Sequence, residues 1–179
     1  MLTSLNLQDA EATAALGRSM ASAVKRHVDA IRAAGLHINL SGELGAGKTA
    51  LVRAMLHALG VEGSVKSPTY AVLEPYVVSR LDFYHFDFFR LTEREFDGSG
   101  FRELFGPGRI CAVEWPERAG PRLPTADISI ALAVDGYGRS AAISTASELG
   151  ATCLSEAMTQ LEAGGGDSST PAPARLSSP

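Results

Sequence analysis

The chain has little of several things, and each shortage removes a class of explanation. Two cysteines in 179 residues, Cys111 and Cys153, are too few and too poorly spaced for a disulfide framework or a zinc site. They read as buried thiols of a reducing compartment. No apolar run approaches the roughly 20 residues needed to span a bilayer. The N-terminal stretch carries Asp9 and Glu11 with neither a basic start nor an apolar run, so it does not read as a secretory leader. A cytoplasmic protein without membrane association is expected. Basic excess is missing too. Sixteen Lys and Arg stand against 20 Asp and Glu, a formal charge of −4, so no broad basic face for nucleic acid is advertised. Any RNA contact would be local or borrowed from a partner. Internal repeats are absent.

What remains is 45% hydrophobic, enough for one domain with its own core, expected over residues 1–162. From Ala163 the composition turns to Gly, Ser, Thr, Pro and Ala. Such a segment buries too little to offset its ordering entropy, and residues 163–179 are expected to form a disordered tail.

The most informative stretch is Gly42-Glu43-Leu44-Gly45-Ala46-Gly47-Lys48-Thr49, a glycine, four residues, then Gly-Lys-Thr, the pattern of a phosphate-binding loop. Its context agrees. Leu36 to Leu40 reads as a short buried strand, and Ala50 to Leu59 resumes at helical spacing through Leu51, Met55, Leu56 and Leu59. Glycines let backbone N–H groups converge on a polyphosphate, and the helix start adds partial positive charge. The loop from Glu43 to Ala50 is therefore the candidate nucleotide-binding segment. Lys48 would reach the β and γ oxygens, and Thr49 would offer its hydroxyl to Mg²⁺.

Around this loop the sequence predicts alternating elements. Leu2 to Leu7 suits a short edge strand, with Asn6 capping a helix whose apolar positions are Leu16, Met20, Val24, Val28 and Ile31, ending near Gly35. Tyr70 to Val78 and Arg80 to Phe89 read as two strands joined near Ser79. Thr92 to Asp97 starts a helical turn that Gly98-Ser99-Gly100 breaks, and Phe101 to Phe105 is another short helical piece. Ile110 to Val113 is a continuous apolar run, as for a strand covered on both faces. Asp127 to Val134 and Arg139 to Thr145 suit a hairpin about Asp135 to Gly138, and Ser147 to Leu161 suits a closing helix.

A nucleotide hydrolase also needs an acidic group at a strand end for Mg²⁺ and something to orient the attacking water. Glu114 closes the apolar strand, and Asp87 shares a strand face with His85 and Phe83 by alternation. Each could equally be a solvated carboxylate at a strand edge or end. His85 reads as a satisfied strand histidine and is left out of the catalytic set. Arg118 could meet phosphate, a partner or only water.

Four motifs occur in order: the phosphate loop, then Val65-Lys66-Ser67-Pro68-Thr69-Tyr70, Tyr84-His85-Phe86-Asp87 and Val113-Glu114-Trp115-Pro116. Together they resemble the TsaE (YjeE) family of bacterial proteins over residues 5–145. The resemblance implies an α/β P-loop NTPase fold, with a mostly parallel central sheet flanked by helices and an antiparallel portion. It implies the ATPase component of the machinery that forms N6-threonylcarbamoyladenosine at position 37 of tRNAs. The implied cofactors are ATP and Mg²⁺; the implied partners are a TsaD-like transferase and a TsaB-like scaffold, with tRNA met indirectly through the complex. Position by position, Lys48 and the loop amides would bind ATP phosphates, Thr49 and Glu114 would take the Mg²⁺ roles, and Asp87 would act on the attacking water. Catalysis would thus rest on Asp87, Lys48 and Glu114. Ser67-Pro68-Thr69 resembles a switch-like segment that senses the γ-phosphate, and Thr13 resembles a residue near the nucleotide base. The span from Gly17 to Gly42, the Gly98-Ser99 pair and the tail depart from the family pattern.

Two other functions fit parts of the sequence. A small-molecule or nucleoside kinase would need an arginine-rich lid. Arg90, Arg94 and Arg102 lie in the right region, but Glu95, Asp97 and Glu103 are interleaved with them, as on a solvated face. A nucleotide-sensing module would bind without turnover of its own.

Overall fold

A computed structural model describes residues 2–164 of the chain. One seven-stranded sheet organises them, in the order β1-β7-β6-β2-β5-β4-β3. The strands are β1 (Leu2–Leu7), β2 (Leu36–Ser41), β3 (Leu73–Val78), β4 (Leu81–Asp87), β5 (Arg109–Glu114), β6 (Ile128–Asp135) and β7 (Gly138–Thr145). The central four, β6, β2, β5 and β4, run parallel, and antiparallel strands close both edges. Parallel strands need covering on both faces, and β5 shows it, with all but its first residue buried.

Alternation along β4 and β5 splits the core in two. Phe83, Ile110 and Ala112 join the larger cluster, with Leu16, Met20 and Val24 of α1 (Ala10–Arg26) and Leu51, Met55 and Leu56 of α3 (Lys48–Ala58). Leu154 and Ala157 of α5 (Glu148–Gly164) complete it. Phe86, Phe88, Cys111 and Val113 face the other way, onto Phe96 of α4 (Glu93–Ser99). Burial pushes the Cys111 thiol up to about 12 and the Cys153 thiol up to about 11, so both are inert apolar side chains. At Gly17 the helices α1 and α3 come so close that a Cβ would lie 2.5 Å from the Leu51 carbonyl oxygen.

Several sequence expectations shift in detail. Asp9, not Asn6, caps α1, its Oδ1 accepting from the Ala12 N–H at 2.8 Å; Asn6 is spent in β1, paired with Ser140. The expected single helix bends at His27 into α1 and α2 (Val28–Ala34), although no glycine or proline marks the place. Backbone bonds continue across the bend from Ala23 to Ile31, and both Val24 and Ile31 are buried. Thr92 and Glu95 form a reciprocal cap on α4, which runs through Gly98 and Ser99 and ends at Gly100, φ 73°. Ser147 opens α5 by accepting the Gly150 N–H at 3.0 Å. Ala163 and Gly164, expected in the tail, belong to this helix; the rest of the expected tail lies outside the described residues. Among the described residues no helix is long and apolar enough to cross a membrane.

Candidate functional site

The parallel strands end on one side of the sheet, and there the sequence brings its polar motifs together. β2 leads into the loop, and α3 begins at Lys48 after Gly47 in a left-handed conformation, φ 106°. Gly42, φ 132°, is fixed by packing as well, because a Cβ there would collide with the Leu132 carbonyl oxygen. Beside the loop, β4 and β5 deliver their last residues in register, Asp87 opposite Glu114. Neither is a solvated strand-end carboxylate. Asp87 is 3% exposed and Glu114 2%, and β3 covers the outer side of β4.

Each buried carboxylate is satisfied by a different part of the chain. Glu114 accepts the Thr49 hydroxyl, at 2.8 Å to Oε1 and 3.0 Å to Oε2, and its Oε1 lies 2.8 Å from His85 Nε2. Asp87 Oδ2 accepts the hydroxyls of Ser67 and of Thr69, the latter at 2.8 Å, while Oδ1 accepts the Phe89 N–H at 3.0 Å. The expected switch segment is thus tied to the expected water-positioning residue. His85 is only half the satisfied strand histidine expected: Nε2 meets Glu114, whereas its buried Nδ1 has no hydrogen-bond partner among the described residues.

Lys48 donates to the carbonyls of Gly42 at 2.6 Å and Glu43 at 2.9 Å, and its Nζ stands 3.9 Å from the centre of the Trp115 ring. Burial lowers its pKa from the ordinary lysine value, against the opposing pull of Glu114, Glu117, Asp87 and Glu43. Trp115 itself turns the chain out of β5 in the left-handed region, φ 58°, a conformation that costs a non-glycine residue on the order of 1 kcal/mol. Its N–H is anchored on the Leu40 carbonyl at 3.2 Å. That strain sets the indole as one wall of the site.

These groups line a cavity of about 360 Å³ that includes Leu44, Gly45, Gly47, Ala50, Lys48, Thr49, Thr69, Asp87 and Glu114. A larger one, about 460 Å³, lies against α1 and the end of α5. Its charged lining residue is Arg18, ion-paired to Glu11 at 2.5 Å; chemistry, not size, picks the smaller cavity. Thr13 is buried, not an exposed helix residue, and its methyl lies 3.6 Å from where a Gly47 Cβ would stand, so it backs the loop. Ala46 is fully buried behind the loop and Glu43 is exposed beside it. Arg118 is exposed, 5.8 Å from the Phe89 ring centre, and outside the cavity lining. Arg90 packs on Tyr70, Arg102 donates to the Arg122 carbonyl, and neither they nor Arg94 line the cavity.

Sequence reasoning missed Arg53 and Arg139. Arg53 lines the cavity and donates Nε to the Val65 carbonyl at 2.7 Å; its place on the first turns of α3 was a readable signal. Arg139 reaches the loop from β7, and no local pattern announces it.

Residues 7–141 match the family model described as "Threonylcarbamoyl adenosine biosynthesis protein TsaE". The chain belongs to the TsaE family. Among similar proteins named "tRNA threonylcarbamoyladenosine biosynthesis protein TsaE", that of Haemophilus influenzae is 45% identical over 94 residues, covering 52% of this chain and 60% of that protein. The Nostoc protein of the same name is 33% identical over 142 residues, 76% of this chain and 82% of that one. In these alignments the chain spans 60% of the length of the Haemophilus and Synechocystis relatives. The crystal structure of Bacillus subtilis YdiB superposes with a TM-score of 0.68 at 21% identity, covering 89% of this chain and 95% of that one. At that identity the likeness speaks for the fold, an α/β P-loop NTPase fold with a parallel centre. In this TsaE family member the matched segment contains all four motifs that converge on the cavity.

Proposed function

We propose that this chain binds and hydrolyses Mg-ATP as the ATPase component of a tRNA-modifying complex that forms N6-threonylcarbamoyladenosine at position 37. The partners in this reading are a TsaD-like transferase and a TsaB-like scaffold, tRNA is met through them, and the compartment is the cytoplasm. Residues 1–162 act as one ATPase domain. The observation that carries the reading is the pairing of the Thr49 hydroxyl with the Glu114 carboxylate at 2.8 Å, directly opposite Asp87 in the β4–β5 register, at the mouth of a phosphate loop.

Those atoms fit the ligands the reading requires. Thr49 and Glu114 offer hard oxygen donors, the type Mg²⁺ takes, and they are few, as suits an ion that keeps waters and phosphate oxygens in its shell. Bound there, Mg²⁺ would neutralise charge on the β and γ oxygens. His85 holds the Glu114 carboxylate in orientation. Lys48 exchanges its two loop carbonyls for phosphate oxygens, so that its charge meets charged acceptors in place of neutral ones. The Gly45 and Gly47 backbone cradles the polyphosphate, Leu44 and Ala50 close on it, and Thr13 supports the loop near the base.

Asp87 orients the attacking water. Because its Oδ2 already holds Ser67 and Thr69, a γ-phosphate that draws those hydroxyls away would free the carboxylate, so sensing and water positioning share one oxygen. Hydrolysis by the chain alone is expected to be slow: Lys48 and Arg53 are the cations lining the cavity among the described residues, which leaves much transition-state charge to be met by a partner. The test is tRNA modification by reconstituted transferase and scaffold, with and without this protein. Dependence of multiple turnovers on this chain and on Lys48 supports the reading; modification at equal rate without it refutes it.

A further inference from the structure

The phosphate loop is held from behind by a residue some ninety positions away in sequence. Arg139, at the start of β7, donates Nε to the Ala46 carbonyl at 3.1 Å, Nη2 to the Gly45 carbonyl at 3.0 Å and Nη1 to the Gly138 carbonyl at 2.6 Å. All three nitrogens of the guanidinium are spent on backbone acceptors.

A peptide unit is planar and trans, so its carbonyl and N–H point in opposite directions. The Ala46 carbonyl belongs to the unit that carries the Gly47 N–H. Drawing that carbonyl toward Arg139 turns the Gly47 N–H the other way, toward the cavity that Gly47 lines. The Gly45 carbonyl belongs to the unit carrying the Ala46 N–H, and that N–H is held in turn by the Glu43 carbonyl at 3.1 Å. Two successive peptide planes are therefore fixed by three bonds, two of them from Arg139. Glycine at 45 and 47, φ 81° and 106°, leaves these planes free to rotate, which costs entropy when a ligand must order them. A rigid planar fork suits two neighbouring carbonyls; a lysine ammonium, a point donor on a flexible stem, does not.

We propose that Arg139 is a positioning residue for the nucleotide: it presets the Gly45-Ala46-Gly47 planes so that the Gly47 amide faces a polyphosphate before one arrives, while the Ala46 amide stays on the Glu43 carbonyl and braces the turn. This rests on the reading that the loop takes ATP. Arg139 touches no phosphate; it acts through the loop.

The test uses the full chain, native and as Arg139→Lys and Arg139→Gln. ATP affinity is read from Trp115 fluorescence, the Gly47 amide resonance is recorded without nucleotide, and melting temperature is recorded alongside. Losing a charge-assisted bond to the loop predicts about a tenfold loss of affinity in Arg139→Gln, with the lysine variant recovering only a minor part. The Gly47 resonance should move in both variants before any nucleotide is added. Full recovery by lysine would assign the effect to charge alone and overturn the proposal, as would an unmoved Gly47 resonance. A loss of affinity that vanishes at temperatures where both variants are fully folded would overturn it too. If the glutamine variant does not fold, the lysine variant decides. Should the native chain bind no ATP, the functional reading fails, while the Gly47 resonance still tells whether Arg139 sets the loop.

Discussion

The two ends of the parallel strands bury polar groups in opposite ways. At the end where β2, β4 and β5 finish, Lys48, Asp87 and Glu114 are 2–4% exposed and each is bonded, to loop carbonyls, to hydroxyls or to His85. At the other end His37, the second residue of the same β2, is 6% exposed, and among the described residues neither ring nitrogen makes a hydrogen bond of ordinary distance and angle, Asn39, Thr125 and Pro124 being only weak polar neighbours. It packs edge-on against Phe105, with ring centres 4.7 Å apart. Burial lowers its pKa to about 4 despite opposing contributions from Asn39, Asp127, Thr125 and Pro124. A buried ionisable group must be partnered or give up its charge. This sheet does the first where charge has work to do and the second where it has none.

The far end offers the largest effect by which to test that contrast. Folded His37 takes up a proton only near pH 4, whereas the unfolded value is 6.5. Between these values the unfolded chain binds more protons, so stability that is complete above pH 6.5 falls as pH drops, by about 3 kcal/mol in all. Denaturant melts of the native chain and of His37→Gln across pH 4 to 7 check this: the variant should lose the slope. Equal slopes would remove His37 from the account.

At the site end the next effect is on binding. Lys48→Ala should weaken ATP by tens of fold, about 2 kcal/mol, the scale of a lost charged hydrogen bond, as read by Trp115 fluorescence. It also strips donors from the Gly42 and Glu43 carbonyls, so a small fall in melting temperature accompanies it. Unchanged affinity would sink the phosphate role. Smaller still is His85→Leu, which takes a partner from the buried Glu114 carboxylate and should cost about 1 to 2 kcal/mol of folding stability, measured by urea unfolding. A neutral result would mean that Thr49 alone satisfies Glu114.

The site end was far more legible in the sequence than the far end, and the reason is physical. Phosphate binding demands glycines, lysine and threonine at fixed spacing in one segment, and strand ends deliver carboxylates by a simple rule, so Lys48, Thr49, Asp87 and Glu114 could be named from local pattern. Their convergence follows from β4 and β5 being parallel neighbours in register. Arg139 could not be read, because its target carbonyls lie 93 and 94 residues away and carry no side-chain signature. The bend at His27 was equally silent, since packing rather than glycine or proline makes it. His37 stood inside a segment read only as a short buried strand, and nothing local announced the ring it packs on, Phe105, contributed by a distant turn. Among the expected site residues, Arg118 had the least pattern behind it and lies outside the cavity lining.

The central claim is that the two buried carboxylates divide the chemistry, Glu114 with Thr49 for Mg²⁺ and Asp87 for water. The direct measurement is calorimetric binding of ATP at varied Mg²⁺, beside hydrolysis with the transferase and scaffold present, for Glu114→Gln and Asp87→Asn. A neutral amide is a poorer ligand for a hard cation, so Glu114→Gln should lose about tenfold in Mg-ATP affinity. Asp87→Asn should bind within about twofold of the native chain and hydrolyse about tenfold or more slowly, a loss confined to the transition state. Loss of affinity in Asp87→Asn with none in Glu114→Gln would reverse the roles, and no change in either variant would contradict the account.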